Sequence, residues 1–393
     1  MIKSSYKIGV LFLMLASVII IRVLVESTSY VSPDSSYYLA AADHLMKGQG
    51  LIAPHPEAPH SNTYFAIWPA GYPFCIAGVG LLTGTSALVA SKIVNLLFLG
   101  LTFALLFHWF GEKSWLVALY FCSFGLLEIY SYSWSEAPFL FFVLLLCYFI
   151  TKDLEKDRGL RLFFQLFFCL VALFIFRYAG LIYFVGVGAL LLYFMSKRQW
   201  LKSSYYFSAL FFSSLVVCGY LLVNKEMTGY YTGIGDRVQL EQESLQQFVM
   251  LLIRGLWNQL TLARQYYSSE MDSLYVALLI MQLGVVAVLV YFREKLTAQF
   301  FKHIEVKMLF AFALFYLIVI IALRKLQPFD PFDYRIMAPF SLPLFVALLG
   351  RLTKKDAESY FEKVKFWIVG FMLISLVVNL PKQYLIEWVR GLF

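Results

Sequence analysis

Charge is scarce in this sequence. Only 14% of its 393 residues are Asp, Glu, Lys or Arg, whereas 61% are hydrophobic and 19% are aromatic. Soluble domains carry about 25% charged residues, so this balance excludes an ordinary soluble domain. Apolar runs long enough to cross a bilayer recur from end to end, and no polar block is large enough for a separate soluble domain. We therefore predict an all-α polytopic membrane protein with one membrane domain over residues 1–393.

Cysteine and metal-binding patterns are also sparse. Four of the five cysteines lie inside apolar runs and Cys75 follows a turn, so the spacing indicates neither a disulfide framework nor a metal site. A Pro-rich loop with His55, Glu57 and His60 could bind a divalent cation, although a solvated turn is the preferred interpretation. We predict no metal-ligand residues, and leave open whether a divalent cation assists the reaction.

The positive charge follows a membrane pattern. A net charge of +8 would suggest nucleic acid in a soluble chain, but here Lys and Arg cluster in short loops between apolar runs. The positive-inside rule explains this pattern, so we expect no nucleic-acid partner. An apolar run at 8–25 follows two lysines without a small-residue cleavage site, which predicts a retained anchor with a cytoplasmic N-terminus.

Hydropathy predicts about eleven membrane-spanning helices. Their predicted ranges are 8–25, 87–109, 115–132, 137–151, 162–177, 180–195, 203–223, 274–292, 305–323, 336–350 and 364–380. This threading places four basic loops in the cytoplasm. They hold Lys152, Lys156, Arg158 and Arg161; Lys197, Arg198 and Lys202; Arg293 and Lys295; and Arg351, Lys354 and Lys355.

The outer loops 26–86, 224–273 and 324–335 are long and rich in acids, aromatics and turn residues. Keeping every basic loop inside requires residues 72–84 to re-enter or lie on the outer surface. It also makes residues 248–263 an interfacial amphipathic helix. Because functional residues concentrate on positioned loops, we expect the chemistry on the outer face of the cytoplasmic membrane.

The first outer loop predicts a helix of its own. Ser32 suits its N-cap, Pro33 its first turn, and Gly48 with Gly50 its end. One carboxylate then stands at the end of an aromatic and apolar stripe. The stripe consists of Asp34, Tyr37, Tyr38, Ala41 and Leu45. We interpret it as an active-site helix at the membrane surface; the alternative is that Asp34 only complements the helix dipole.

Ionisable residues near apolar spans are costly and therefore candidates for function. In this threading the outer ends of the spans hold Arg22, Lys92, Glu128, Glu136, Arg177, Arg324, Lys325, Asp330, Asp333 and Arg335. For Arg22, Glu128 and Lys325 we favour snorkelling to the headgroups. Arg177 lies at a tight outer hairpin with apolar sequence on both sides, which suits a phosphate at the bilayer surface. Glu136 starts the helix after another outer hairpin, where it could serve the site or only the helix terminus.

Four motifs occur in order between the predicted spans: PDSSYY, WPAGYP, WSEAP and FRYAGL. This ordered set resembles the membrane glycosyltransferases with the C-type fold (GT-C). The resemblance is to the family 39-like group, which includes protein O-mannosyltransferases and the lipid A aminoarabinose transferase. It covers roughly residues 1–200. It implies a transferase that takes a sugar from a polyprenyl phosphate on the outer leaflet.

The resemblance also implies roles for single residues. Asp34 matches the acidic residue that acts at the acceptor, and Arg177 matches the basic residue that contacts the carrier phosphate. Many members have a second acid after the first, whereas this chain has Ser35, so that role is absent or moved to Glu136. We expect Lys92 and Arg335 as further cations at the phosphate. The expected substrate contacts are Tyr37, Tyr38, Trp68, Tyr72, Tyr178 and Asp333.

The chemistry is coherent with these residues. An anomeric phosphate is a good leaving group, so one base for the acceptor hydroxyl and cations for the phosphate suffice. A single displacement inverts the anomeric centre, unlike glycoside hydrolysis with its two cooperating carboxylates. The expected partners are the lipid-linked donor, membrane lipids and a glycan, lipid or protein acceptor.

Two alternatives remain open at this point. A solute transporter predicts charged or broken helices near the bilayer midplane, whereas the charges here fall at one surface. A flippase or polymerase for lipid-linked glycans would also place cations near outer-leaflet phosphates. The helix of Asp34 and the WPAGYP turn have a place in a C-type transferase and none known to us in those proteins.

Overall fold

The structure is a computed structural model that describes residues 2–55, 58, 60–233, 243–266, 272–292, 297–327, 329–381, 386–387 and 390. In this part of the chain it is helical apart from loops and one antiparallel hairpin. The helices are α1 Ile2–Val25, α2 Pro33–Met46, α3 Gly71–Thr83, α4 Ala87–Phe110, α5 Ser114–Ala118, α6 Phe124–Ser131, α7 Glu136–Glu155, α8 Leu160–Phe176, α9 Leu181–Ser196, α10 Trp200–Thr228, α11 Leu245–Leu260, α12 Ser273–Tyr291, α13 Ile304–Leu326, α14 Tyr334–Leu352 and α15 Glu358–Val378. The strands are β1 Ile52–Pro54 and β2 Asn62–Tyr64.

Eight stretches of the described chain are long and apolar enough to cross a membrane, so this is an all-α polytopic membrane protein. They are Tyr6–Val25, Ala87–Cys122, Glu136–Glu155, Tyr178–Ser196, Trp200–Thr228, Ser273–Tyr291, Ile304–Leu326 and Tyr334–Leu352. The predicted number of eleven is therefore not confirmed. Two further apolar helices, α3 and α8, have 13 and 17 residues, and α15 carries charged residues in its first turns.

The prediction of one continuous helix over residues 115–132 is wrong. The chain runs from α5 into a 3₁₀ segment, Leu119–Cys122, and then breaks before α6. Ser123 is extended, with φ −71° and ψ 148°. Phe124 N donates to Leu262 O at 2.8 Å instead of to a helical carbonyl. A distant loop thus supplies the hydrogen bond that permits the break, and hydropathy does not detect such a bond.

The chain folds into two compact units. Unit 1 comprises Met1–Tyr30, Gly100–Ser131 and Glu241–Phe393, and unit 2 comprises Val31–Leu99 and Tyr132–Leu240. Within unit 1, α14 packs on α13, α11, α5 and α6, while α12 packs on α15. Gly255 lets α11 approach Phe332 so closely that a Cβ there would collide with it. The prediction of one membrane domain stays a prediction.

Unit 2 contains the first outer loop and the helices that carry the remaining motifs. Helix α2 packs on α3 and β1, α3 packs on α8, and α8 contacts α7, α9 and α10. Strands β1 and β2 pair with Ile52 opposite Tyr64. Gly71 begins α3 where any Cβ would meet the backbone of Ile175 on α8. Glycine in the WPAGYP turn is therefore required for close packing of α3 on α8.

The predicted helix of the first outer loop is confirmed as α2. The Ser32 side chain accepts from Ser35 N at its start, and Pro33 is its first residue. Beyond its end Gly48 and Gly50 adopt φ values of 70° and 90°, which glycine tolerates best. Of the predicted stripe, Tyr38 and Ala41 are buried, whereas the other three members are half-buried.

The predicted amphipathic helix of the second outer loop is also present. Helix α11 covers most of predicted residues 248–263. It begins with a capping box in which Ser244 and Gln247 bond each other's backbone N–H groups. Most of its apolar side chains stay exposed, and Phe248 is buried, as expected of a helix that lies at an interface.

Candidate functional site

The start of α2 packs against the WSEAP hairpin in unit 2. Trp134 Nε1 donates to Ser32 Oγ at 2.7 Å. One turn further along α2, the Tyr38 hydroxyl lies 3.0 Å from Ser135 Oγ, and both groups are buried. The helix that carries Asp34 is therefore held at the residue before Glu136. Asp34 itself lies in the first turn of α2 and is half-buried.

An aromatic cluster joins α2 to the WPAGYP turn. Ring centroids lie 5.8 Å apart for Tyr37 and Trp68, 5.2 Å for Tyr38 and Trp68, and 5.3 Å for Tyr38 and Tyr72. Phe65 completes it, 5.9 Å from Tyr38. Tyr38, Phe65 and Tyr72 are buried, while Tyr37 and Trp68 are half-buried. The cluster thus has a packed inner side and an open side made by Tyr37 and Trp68.

Side chains near the start of α4 form hydrogen bonds with the WPAGYP turn and with the hairpin that carries WSEAP. The Tyr72 hydroxyl donates to Asn95 Oδ1 at 2.9 Å, and Asn95 Nδ2 donates to Tyr132 O at 2.6 Å. Ser91 Oγ lies 2.7 Å from Ser133 Oγ. Lys92 lies between Ser91 and Asn95 in sequence and is half-buried. Sequence reasoning missed Asn95, although an amide inside an apolar span is itself a signal of a site or a polar contact.

An ion pair between Glu136 and Arg177 joins the WSEAP and FRYAGL hairpins. The Glu136 side chain is 2% exposed and the Arg177 side chain 24% exposed. Arg177 leaves the end of α8 with extended backbone, φ −151° and ψ 137°, which turns its side chain out of the helix. A buried carboxylate is costly unless paired, so Glu136 anchors Arg177. Because 24% of its side chain is exposed, Arg177 remains accessible to an anion at the surface.

The FRYAGL hairpin is held on its other side by Tyr178. Its hydroxyl donates to Ala66 O at 3.0 Å and accepts from Asn224 Nδ2 at 3.1 Å. Asn224 Nδ2 also donates to Tyr231 O at 3.1 Å. Asn224 is fully buried, and its Oδ1 has no hydrogen-bond partner among the described residues. Sequence reasoning missed Asn224 as well, a polar residue in the last two turns of an apolar helix.

Nine of the eleven predicted site residues belong to unit 2. They are Asp34, Tyr37, Tyr38, Trp68, Tyr72, Lys92, Glu136, Arg177 and Tyr178. The other two, Asp333 and Arg335, belong to unit 1. Asp333 is the N-cap of α14 and accepts from Ile336 N at 2.9 Å, and Arg335 follows in the first turn. A capping carboxylate is a structural role that the sequence pattern did not identify.

The preferred interpretation of Arg22 and Glu128 as snorkelling residues is wrong. Arg22 is buried in unit 1, pairs with Glu128 and donates to Ser131 Oγ at 3.1 Å. Its guanidinium also lies 4.8 Å from the ring centroid of Tyr30. Burial raises the pKa of the Tyr30 hydroxyl, which Arg22 lowers in part. Arg22 is thus a structural ion-pair residue inside unit 1.

No metal site is evident in the described part of the chain, where no three His, Cys, Asp or Glu residues are grouped to hold an ion. Of the predicted cation loop, His55 and His60 are described, whereas Glu57 lies outside the described residues. Whether a divalent cation assists stays an open prediction.

Comparison with known proteins finds no matching family model and no matching curated protein. Among solved structures, the chain is similar to the crystal structure of ArnT from Cupriavidus metallidurans in the apo state. The match covers 88% of this chain and 77% of that chain, with 15% identity and a TM-score of 0.44. At this level of similarity, the residues of the site have to decide the function.

Proposed function

We propose that this protein is an inverting membrane glycosyltransferase. It moves a sugar from a polyprenyl-phosphate donor to an acceptor hydroxyl on the outer face of the cytoplasmic membrane. The observation that carries the proposal is the Glu136–Arg177 ion pair, which joins two of the four ordered motifs, WSEAP and FRYAGL. A partly open arginine on a buried carboxylate, beside half-buried aromatic rings, suits a phosphate joined to a sugar.

In the proposed reaction the acceptor oxygen attacks the anomeric carbon, and the bond from that carbon to the phosphate oxygen breaks. The electron pair of the broken bond stays on the phosphate, where Arg177 stabilises the added negative charge. Asp34 takes the proton of the acceptor hydroxyl as general base. Lys92 is the second cation of the site in unit 2. No protonating acid is required because phosphate leaves as an anion.

The pairing refines the role of Glu136. A carboxylate that is buried against Arg177 positions the guanidinium and does not need to touch the reacting atoms. Glu136 is therefore proposed as a positioning residue, and Asp34 as the base. Tyr37 and Trp68 on the open side of the aromatic cluster are proposed to contact the substrate, while Tyr38 and Tyr72 hold the cluster together.

The outer location is supported by the two ends of α7. Glu136 begins this helix, and Asp153 near its other end pairs with Lys202, which belongs to the second basic loop and the start of α10. Seventeen residues at about 1.5 Å each separate these ends by about 26 Å, close to the thickness of the hydrocarbon core. The positive-inside rule assigns the lysine-rich end to the cytoplasm and the Glu136 end to the outside.

Donor binding tests the proposal. Arg177→Ala is expected to weaken binding of a polyprenyl phosphate by about 1.5–3 kcal/mol, roughly tenfold to 150-fold, because a charged hydrogen bond is lost. Arg177→Lys should recover part of the loss, since it keeps the charge but not the fork. The measurement is the Kd from titration of the purified protein in detergent.

Arg158→Ala is the matched control. Arg158 is a half-buried arginine of the same unit, at the far end of α7 and α8, where its Nη1 lies 3.3 Å from Gln165 Oε1. This variant should bind the donor with the Kd of the wild type. If Arg177→Ala also keeps that Kd, Arg177 does not bind the donor phosphate and the proposal fails.

A further inference from the structure

Unit 1 contains an apolar groove away from the residues discussed so far. Helices α12, α14 and α15 form most of its lining, which Leu262 and Phe300 complete. Its volume is about 260 Å³. Engineered apolar cavities of about 150 Å³ already bind benzene, so this groove has room for a longer hydrocarbon. Its size calls for an occupant, because empty apolar space forfeits packing contacts.

Both polar side chains among the described lining residues, Gln282 and Tyr360, form hydrogen bonds with backbone groups of the protein. Gln282 accepts from Leu262 N at 2.9 Å and donates to Leu260 O at 2.7 Å. The hydroxyl of Tyr360 donates to Leu289 O at 2.7 Å. Val285, Leu349, Ile368, Phe371 and Met372 form a buried apolar lining. The occupant that fits these walls is therefore a hydrocarbon.

The groove opens on an exposed, apolar side of unit 1. Two of its lining residues, Val286 on α12 and Leu348 on α14, are 45% and 36% exposed. Both lie in stretches that are apolar and long enough to cross a membrane. A hydrocarbon chain in the bilayer can thus enter from the side, without passing through water.

Positive charge surrounds one end of the groove, where α12 and α14 end and α15 begins. Lys302, Lys355 and Lys363 are exposed there, and Lys363 Nζ lies 5.4 Å from the ring centroid of Phe292. Four acidic residues near this end, all in the described part of the chain, are paired with other cations. The ion pairs are Glu305 with Lys354, Asp356 with Arg351, Glu358 with Lys113 and Glu362 with Lys365.

We propose that this groove binds one acyl chain of an anionic phospholipid, with the phosphate of the lipid at Lys355 and Lys363. Apolar walls select the chain, and the surplus lysines select a negative headgroup over a neutral one. The positive-inside rule assigns this end to the cytoplasmic leaflet. None of the residues that line the groove is among those proposed for the donor site.

To test the proposal, the purified protein is incubated with vesicles of phosphatidylcholine and phosphatidylglycerol. Native mass spectrometry then gives the number and kind of lipids that it retains. The wild type should retain one phosphatidylglycerol. Val286→Trp places an indole across the opening and should lower retention by about tenfold. Val290→Trp is the matched control because Val290 is 48% exposed on the same helix and does not line the groove. It should retain lipid like the wild type.

The headgroup is tested separately. Lys355→Gln with Lys363→Gln should lower the preference for phosphatidylglycerol by about tenfold to thirtyfold, given roughly fivefold for each lysine near an anionic surface. Lys197→Gln is the control, since Lys197 is an exposed lysine 5.9 Å from the ring centroid of Tyr193 in unit 2. It should leave the preference unchanged. Leu348→Trp provides a second blocking variant should Val286→Trp fail to fold.

Three results would overturn the proposal. Equal retention by Val286→Trp and Val290→Trp would mean that the groove is not the binding site. Equal retention of phosphatidylcholine and phosphatidylglycerol by the wild type would remove the role of the lysines. Displacement of phosphatidylglycerol by an added polyprenyl phosphate, one for one, would assign the groove to the donor chain instead.

Discussion

Each end of α7 holds a buried acidic residue that forms an ion pair with a basic residue from elsewhere in the chain. The two pairs differ in how exposed the basic residue is. At the far end, Asp153 is fully buried and pairs with Lys202 at 2.7 Å. The same carboxylate accepts from the Tyr206 hydroxyl at 3.2 Å and from Arg158 N at 3.4 Å. The Lys202 side chain is 12% exposed. This carboxylate is surrounded by donors and Lys202 is nearly covered.

At the other end, Glu136 is as buried as Asp153, but Arg177 exposes twice the fraction of its side chain that Lys202 does. Half-buried aromatic rings and the start of α2 accompany it. A buried ion pair by itself is therefore no indication of a site, because the Asp153 pair only links α7 to Lys202 on α10. The combination of a buried anchor, a partly open cation and half-buried rings separates the candidate site from the structural pair.

The largest effect is expected from Asp34→Asn. If this carboxylate is the general base, turnover should fall by about a hundredfold to ten-thousandfold. The measurement is the initial rate of sugar transfer from a polyprenyl-phosphate donor, with the unfolding temperature checked in parallel. Asp43→Asn is the matched control, because Asp43 is an exposed acid of the same helix that pairs with Lys47 at 2.5 Å. Wild-type turnover in both variants would exclude Asp34 from the reaction.

A smaller effect, on stability, should be common to both ends of α7. Glu136→Gln and Asp153→Asn each leave a base beside a buried neutral group. Each should lower the free energy of unfolding by about 1–3 kcal/mol, less than for a fully buried pair because the bases are partly exposed. Chemical denaturation in detergent measures this quantity.

Donor binding then distinguishes the two ends. Glu136→Gln should raise the donor Kd by about tenfold because Arg177 loses its anchor, and Asp153→Asn should leave it unchanged. The proposed difference between the ends would be refuted by equal donor affinities in these two variants.

Asn224→Ala should act through Tyr178, with an effect of about 1 kcal/mol, or roughly fivefold in kcat/KM. The variant removes the amide that donates to the Tyr178 hydroxyl. Combining it with Tyr178→Phe should cost little more than either change alone, because the two residues share one hydrogen bond. A double-mutant cycle on kcat and KM makes this measurement. Additive losses would show that Asn224 acts independently of Tyr178.

The smallest effect is expected from Tyr38→Phe. This change keeps the ring in the aromatic cluster and removes the hydroxyl, and with it the hydrogen bond with Ser135. It should lower the free energy of unfolding by about 0.5–1.5 kcal/mol and leave turnover within a few-fold of the wild type. The same denaturation and rate assays apply. A loss of turnover as large as that of Asp34→Asn would move Tyr38 into the reaction itself.

Sequence reasoning identified the motif residues of the site and missed what holds them. Ser32 as cap, the helix that carries Asp34 and the amphipathic helix of the second outer loop all follow from local patterns. The roles of Asn95 and Asn224 were not predicted, because a single amide in an apolar run gives no sequence pattern from which its hydrogen-bond partner could be inferred. The break at Ser123 was not predicted, because it depends on a hydrogen bond to Leu262, which is 139 residues away in the sequence.

The sequence by itself determined that this chain is a polytopic membrane protein, and it determined where its main capped helix begins and ends. Those features depend on hydropathy and on side chains within a few residues of each other. Only the tertiary structure decided that Glu136 anchors Arg177, that Arg22 is buried with Glu128, and which amides bond the hairpins. These contacts join residues from separate helices, so their energies depend on packing that no local pattern encodes.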